Sequence, residues 1–282
     1  IIQRIVMPTI DPTAIVDDRA ELADDVRVGP YCVVGPHVVI GAGTQLFSHV
    51  VVTGHTTLGE GNRVWHHAVL GGEPQDLKYR GEPTTLVVGD RNDIREYVTM
   101  HTGTENGDGT TTVGDDNLLM VGAHVAHDSH VGQHCVLANN VLLAGHITIE
   151  DFAVVSGGAA IHHYVTIGRY AFVGGNSGVV HDCPPYMNSD GHPARVRSVN
   201  VIGLARHRFT EQTTESLKQR CRLLYKRENG NQSDVIDEVE AEYGDDPACR
   251  EVCAFARRTA ESLNGRHRET LRKDNKRTSP TR

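Results

Sequence analysis

Aromatic side chains are scarce in this chain, 5% of 282 residues with a single tryptophan, which argues against a core packed around large rings. No stretch approaches 18 consecutive apolar residues, and the N-terminal part has no apolar run of signal-peptide length, so neither a membrane span nor secretion is expected. The six cysteines (Cys32, Cys135, Cys183, Cys221, Cys249, Cys253) form no CxxC pair and suit small core residues of a protein in a reducing, cytoplasmic compartment. Positive charge is thin where a nucleic-acid surface would need it. Residues 1–200 carry 11 Lys and Arg against 22 Asp and Glu, with Lys78 the only lysine among them, and residues 201–282 carry 17 against 14. Nucleic-acid binding is therefore unsupported, while the basic C-terminal part could attract an acidic partner.

What is present is a beat of six. Every sixth residue is aliphatic from Ile10 through Val16, Leu22, Val28 and onward to Leu70, and again from Val113 through Leu119, Val125 and onward to Val179. That period fits neither a helix nor an ordinary strand, and it predicts a left-handed parallel β-helix of hexapeptide repeats. Three hexads make one 18-residue turn, so residues 18 apart stack about 4.8 Å apart. Two interruptions are expected as outward loops: Gly71 to Thr85, which contains Lys78, and the polar, Gly-rich stretch Thr102 to Thr112.

The β-helix is expected over 8–185, ending at Pro184 and Pro185, with an extended linker over 186–205. Apolar residues at helical spacing then predict three amphipathic helices in a small domain over 206–265, divided at Gly230 and Pro247. The basic stretch 266–282 reads as a frayed tail.

Fifteen of the 17 histidines fall in the first 200 residues. His37, His55, His130 and His134 suit solvated corners. Stacking by 18 puts His127, Gly145, His163 and His181 in one column, with Asp128, His146, Tyr164 and Asp182 beside it and His162 to the other side. An imidazole, a carboxylate to orient it and the N–H of a residue without a side chain suit base-assisted attack of a sugar hydroxyl on a thioester. Three close imidazoles also suit a zinc site with an open position, as in a γ-type carbonic anhydrase-like hydratase. Both chemistries can be drawn from the spacing.

Several segments together resemble the bacterial acyl-[acyl-carrier-protein] UDP-N-acetylglucosamine O-acyltransferase family. They include Gln75-Asp76-Leu77-Lys78-Tyr79, Ala123-His124-Val125-Ala126-His127-Asp128, Leu137-Ala138-Asn139-Asn140, Leu143-Ala144-Gly145-His146 and Asn200-Val201-Ile202-Gly203-Leu204. The resemblance runs from about residue 8 to 225. It implies transfer of an (R)-3-hydroxyacyl group from acyl carrier protein to the 3-hydroxyl of UDP-N-acetylglucosamine, the first step of lipid A biosynthesis, by a homotrimer needing no metal and no organic cofactor.

The resemblance further implies His127 as general base, Asp128 as its orienting carboxylate and the Gly145 N–H as oxyanion donor. Asp76, Lys78, His124, His146, His162 and His163 are implied as substrate contacts, Asn200 and Arg206 as nucleotide contacts, and Gly175 as the position limiting acyl length. The chain departs from the pattern at His163, where the family often has Gln, at Ile202, where it often has Glu, and at Thr102, where Arg is common. The first two flank the sugar and nucleotide positions, which leaves open a 3-amino UDP-sugar as acceptor and N-acylation as the reaction. A β-helix serving only as a trimeric scaffold is the rival without catalysis.

Overall fold

The computed structural model describes residues 7–226, 232–243 and 246–261. The tail expected over 266–282 lies outside them. Strands of mostly two residues succeed one another from Thr9–Ile10 to Gly178–Val179 and wind into three parallel stacks of 9, 9 and 8 strands, the faces of a triangular prism, and two later strands lengthen the first to an 11-stranded sheet. Two-residue strands cannot persist alone; each is held because both edges hydrogen-bond the turns before and after it. The chain visits the 11-, the 9- and then the 8-stranded sheet in every turn, so the prism has three edges.

The sixth-position aliphatics point inward and stack as one column, with Val34, Ile40, Leu46, Val52, Leu58, Val64 and Leu70 all nearly inaccessible to solvent. Smaller residues fill the second inward position of each hexad. There Thr44, Asn62, Asn92, Asn117 and Cys135 form a buried polar ladder: Asn62 N–H donates to Thr44 Oγ1, Asn92 N–H to Asn62 Oδ1, Asn117 N–H to Asn92 Oδ1 and Cys135 N–H to Asn117 Oδ1. Buried polar groups persist because each finds a partner in the adjacent turn. All six cysteines are buried thiols.

The regular repeat of 18 residues is stretched twice. Asn62 and Asn92 stack across 30 residues and Thr99 and His124 across 25, which accommodates both predicted interruptions. Their extents differ from expectation. Gly71 and Gly72 belong to the strand Val69–Gly72 and Thr85 opens the strand Thr85–Val88, so the first loop spans 73–84. Thr110–Val113 is a strand, and the remainder of the second loop does not bulge away, since Thr102 and Thr104 are buried.

The segment expected as a linker over 186–205 is instead a hairpin, Met187–Gly191 with Ala194–Val199, followed by α1, Val201–Arg206. The hairpin extends the 11-stranded sheet, because the last turn otherwise leaves that edge unpaired. Three further helices follow as predicted: α2 (Glu211–Lys226), α3 (Gln232–Tyr243) and α4 (Pro247–Ala260). Helix α4 closes the end of the prism through Tyr186 to Glu251, Thr259 to Asp182 at 3.2 Å and Arg258 to Glu150 at 3.8 Å. Among the described residues no helix is long and apolar enough to cross a membrane.

Candidate active site

The edge where the 9-stranded sheet turns into the 8-stranded one carries the histidines. Between the strands His124–Val125 and His130–Val131 the chain rounds this corner through Asp128, at φ 56°, with His146 (61°) and Tyr164 (64°) in the same conformation one and two turns on. Aspartate is among the few residues that tolerate the left-handed region. The turn folds its carboxylate back onto the preceding residue, and His127 Nδ1 lies 2.8 Å from Asp128 Oδ2.

Both members of that pair are buried, Asp128 to 1% exposure and His127 to 7%. The imidazole lies flush against Gly145 in the next turn, where a Cβ would fall 2.5 Å from His127 Cε1 and 2.7 Å from Nε2. Only glycine leaves room for the ring. His146 approaches edge-on, with ring centroids 5.1 Å apart and planes at 89°, and is itself stacked at 4.6 Å on Tyr164. Its Nδ1 is 3.8 Å from Asp128 Oδ2.

Protonation follows from these contacts. Burial would raise the Asp128 pKa, but hydrogen bonds from His127 and Thr104 outweigh it and hold the group below its ordinary value. An ionised carboxylate only accepts, so His127 Nδ1 carries a proton and the neutral ring keeps its Nε2 lone pair available as a base.

Sequence reasoning missed His101. Its ring lies 4.9 Å from that of His124, it is 8% exposed, and its Nδ1 has no hydrogen-bond partner among the described residues. Burial and the neighbouring His124 and His127 push its pKa down to about 4, and burial likewise lowers His124, whose Nδ1 pairs with Thr99 Oγ1 at 2.7 Å. A count of 18 does not bring residue 101 beside this cluster. The seven residues that the second loop adds to its turn are what hide the alignment, and a register corrected for that loop would have found it.

The other expected site residues are dispersed within one chain. His162 and His163 adjoin each other, rings 5.4 Å apart, two turns along the histidine edge. Asp76 and Lys78 pair at 3.5 Å in the loop 73–84. Gly175 lies on the edge between the 11- and 9-stranded sheets, where an added Cβ would meet only the Gly157 carbonyl, at 3.4 Å. Asn200 caps α1, accepting from Gly203 N–H at 3.0 Å and donating to the Tyr170 carbonyl at 2.9 Å, while Arg206 is exposed in the last turn of that helix. Tyr170 belongs to the third edge. The positions expected to be catalytic, acyl-limiting and nucleotide-contacting thus occupy three different edges of the prism.

Donor atoms of His127, Asp128 and His146 lie within 4.8 Å of one another, a spacing that alone would admit a cation. However, Asp128 Oδ1 accepts from Thr104 and Asp108 N–H groups, and Oδ2 from Thr104 Oγ1 and His127 Nδ1. Both oxygens are committed to hydrogen-bond donors, the pattern of a carboxylate that orients a histidine.

The fold recurs in known proteins. Residues 182–265 match the model of UDP-N-acetylglucosamine O-acyltransferase domain 2, and residues 110–145 match the bacterial transferase hexapeptide repeat. LpxA from Acinetobacter baumannii is 39% identical with a TM-score of 0.86, covering 91% of this chain and 98% of its own. LpxA of Bacteroides fragilis, a UDP-N-acetylglucosamine acyltransferase, is 35% identical (TM-score 0.85, 88% and 97% covered). The Arabidopsis UDP-N-acetylglucosamine acyltransferase is 33% identical (TM-score 0.77, 87% and 94% covered). The chain is an acyltransferase and belongs to the UDP-N-acetylglucosamine O-acyltransferase family.

Proposed function

We propose that this enzyme transfers an (R)-3-hydroxyacyl group from the thioester of acyl carrier protein to the 3-hydroxyl of UDP-N-acetylglucosamine, opening lipid A synthesis in the cytoplasm. The observation that carries the reading is the buried His127–Asp128 pair, 2.8 Å apart, with its ring seated on Gly145. His127 Nε2 removes the hydroxyl proton as the sugar oxygen attacks the thioester carbon. Asp128 fixes the Nδ1–H tautomer and steadies the imidazolium, while the Gly145 N–H stabilises the oxyanion. The C–S bond then breaks, and the departing thiolate takes the proton from His127. Base, carboxylate and amide complete the cycle, so the chemistry asks for no metal or organic cofactor.

Asp76, Lys78, His124, His146, His162 and His163 are assigned to the sugar and thioester, Asn200 and Arg206 to the nucleotide, and Gly175 to the acyl end. Because these positions sit on three edges of one prism, a complete site is proposed between neighbouring solenoids of a homotrimer. Basic residues of α2, among them Lys218 and Arg222, give the acidic carrier a docking surface.

The test is an acyl-transfer assay with carriers of several chain lengths against UDP-N-acetylglucosamine and its 3-amino analogue. An ester on the 3-oxygen supports the proposal; product formed only as an amide on the amino sugar replaces it with N-acylation. Gly175→Met is expected to shift preference toward shorter chains, and an unchanged preference would remove the acyl-limiting assignment.

A further inference from the structure

The carboxylate that orients His127 is itself gripped by a loop outside the hexad repeat. Thr104 donates to it twice, N–H to Asp128 Oδ1 at 2.9 Å and Oγ1–H to Oδ2 at 2.7 Å, and the Asp108 N–H adds a third bond to Oδ1 at 3.1 Å. From the solenoid side Thr111 Oγ1 accepts the N–H of Asp128 at 2.8 Å. The loop is closed on itself, since Gly107 and Gly109 donate to the Thr104 carbonyl at 3.0 and 3.1 Å. It is also pinned to the sheets, with Thr102 N–H on the Gly72 carbonyl and Gly103 N–H on that of Thr85, both at 3.1 Å. No slack exists at Gly107, where a Cβ would lie 2.3–2.5 Å from the Asp128 carboxyl atoms.

Three donors aimed at one buried carboxylate exceed what covering a corner requires. We propose that Thr104, backed by the Gly107 and Asp108 main chain, is a positioning element that fixes the rotation of the Asp128 carboxylate and thereby holds the His127 ring. The inference rests on the assignment of His127 as general base.

The groups that face Asp128 define what the loop controls. His127 is at 2.8 Å and His146 at 3.8 Å. The Asp108 carboxylate is turned away onto His130 Nε2 at 3.0 Å, whose Nδ1 pairs with Thr112 Oγ1 at 2.9 Å. His101 and His124 approach from the His127 side. Losing the Thr104 hydroxyl therefore leaves Oδ2, the atom facing the imidazole, with one donor fewer to fix its direction. A carboxylate free to rotate holds the ring less well.

The experiment compares Thr104→Val, Thr104→Ser, Gly107→Ala and Glu105→Ala by steady-state transfer across pH, with His127→Ala in the same series. Thr104→Val is expected to lower kcat about 10-fold, with little change in KM for the nucleotide sugar. Thr104→Ser restores kcat. Gly107→Ala, whose methyl pushes the loop off the carboxylate, repeats the Thr104→Val effects without depending on that variant folding, and exposed Glu105 has no effect. The inference is overturned if Thr104→Val and Gly107→Ala keep the wild-type kcat, if their loss lies in KM alone, or if Thr104→Ser fails to rescue. Substantial turnover by His127→Ala would instead defeat the underlying reading, which separates the two failures.

Discussion

At the scale of single residues, the site depends on what is small as much as on what reacts. Gly145 admits the imidazole of His127 because nothing projects from its Cα, and a methyl there would collide with Cε1 and Nε2. Gly145→Ala is therefore expected to displace the base and lower kcat about 100-fold, on the scale of losing positioned acid–base catalysis. Circular dichroism should stay that of the wild type; a variant with normal turnover would show that the ring does not work where it rests. The histidines around it also set an acid limit. His101 has a folded pKa of about 4 against an ordinary 6.5, so the unfolded chain binds the proton more readily. The stability it contributes is present above pH 6.5 and lost as pH falls from 6.5 toward 4, on the order of 3 kcal/mol. Asp128, with its lowered pKa, adds a loss in the same direction only below about pH 4. Denaturant titrations from pH 7 to 4 should be flatter for His101→Asn than for the wild type, and equal slopes would contradict the assignment.

At the scale of elements, the hexad column and the corner loops obey different rules, and the sequence displays them unequally. Val28, Leu46, Val64 and their successors announce themselves because an inward position recurs at a fixed count, so the prism and the neighbourhood of His127, Asp128, Gly145 and His146 were legible from spacing. What spacing hid depends on chain that leaves the repeat. Loop residues 102–109 looked like an outward excursion because they are polar and Gly-rich, yet Thr104 turns in to satisfy a buried carboxylate whose need for donors no periodicity reveals. The hairpin at 187–199 was read as linker because two prolines end the beat, although the unpaired sheet edge still demanded partners. The polar ladder inside the prism offers an element-scale test. Asn92 is 1% exposed and its Oδ1 accepts the Asn117 N–H, while Asn62 Oδ1 accepts both the Asn92 side-chain amide and its backbone N–H, so Asn92→Leu orphans the buried Asn117 N–H and should cost about 1–3 kcal/mol. Thermal melting should register the loss while transfer at low temperature survives; an unshifted melting temperature would show that the ladder contributes nothing.

At the scale of the whole molecule, one prism distributes the positions proposed as functional over three edges, and the proposed association of three copies would assemble them. Light scattering on the purified protein should give the mass of three chains, whereas an active monomer would contradict a site built between solenoids. The helical end closes the last turn through Tyr186, Asp182 and Glu150, keeping that apolar column from meeting water. His127, its carboxylate and Gly145 converge on one corner of that prism. Turnover of (R)-3-hydroxyacyl carrier protein with UDP-N-acetylglucosamine, measured side by side for the wild type and His127→Ala, tests that convergence most directly. The account predicts a 3-O-ester from the wild type and a loss of about 10²–10⁴-fold in the variant with an unchanged fold; retention of substantial turnover by His127→Ala would contradict it.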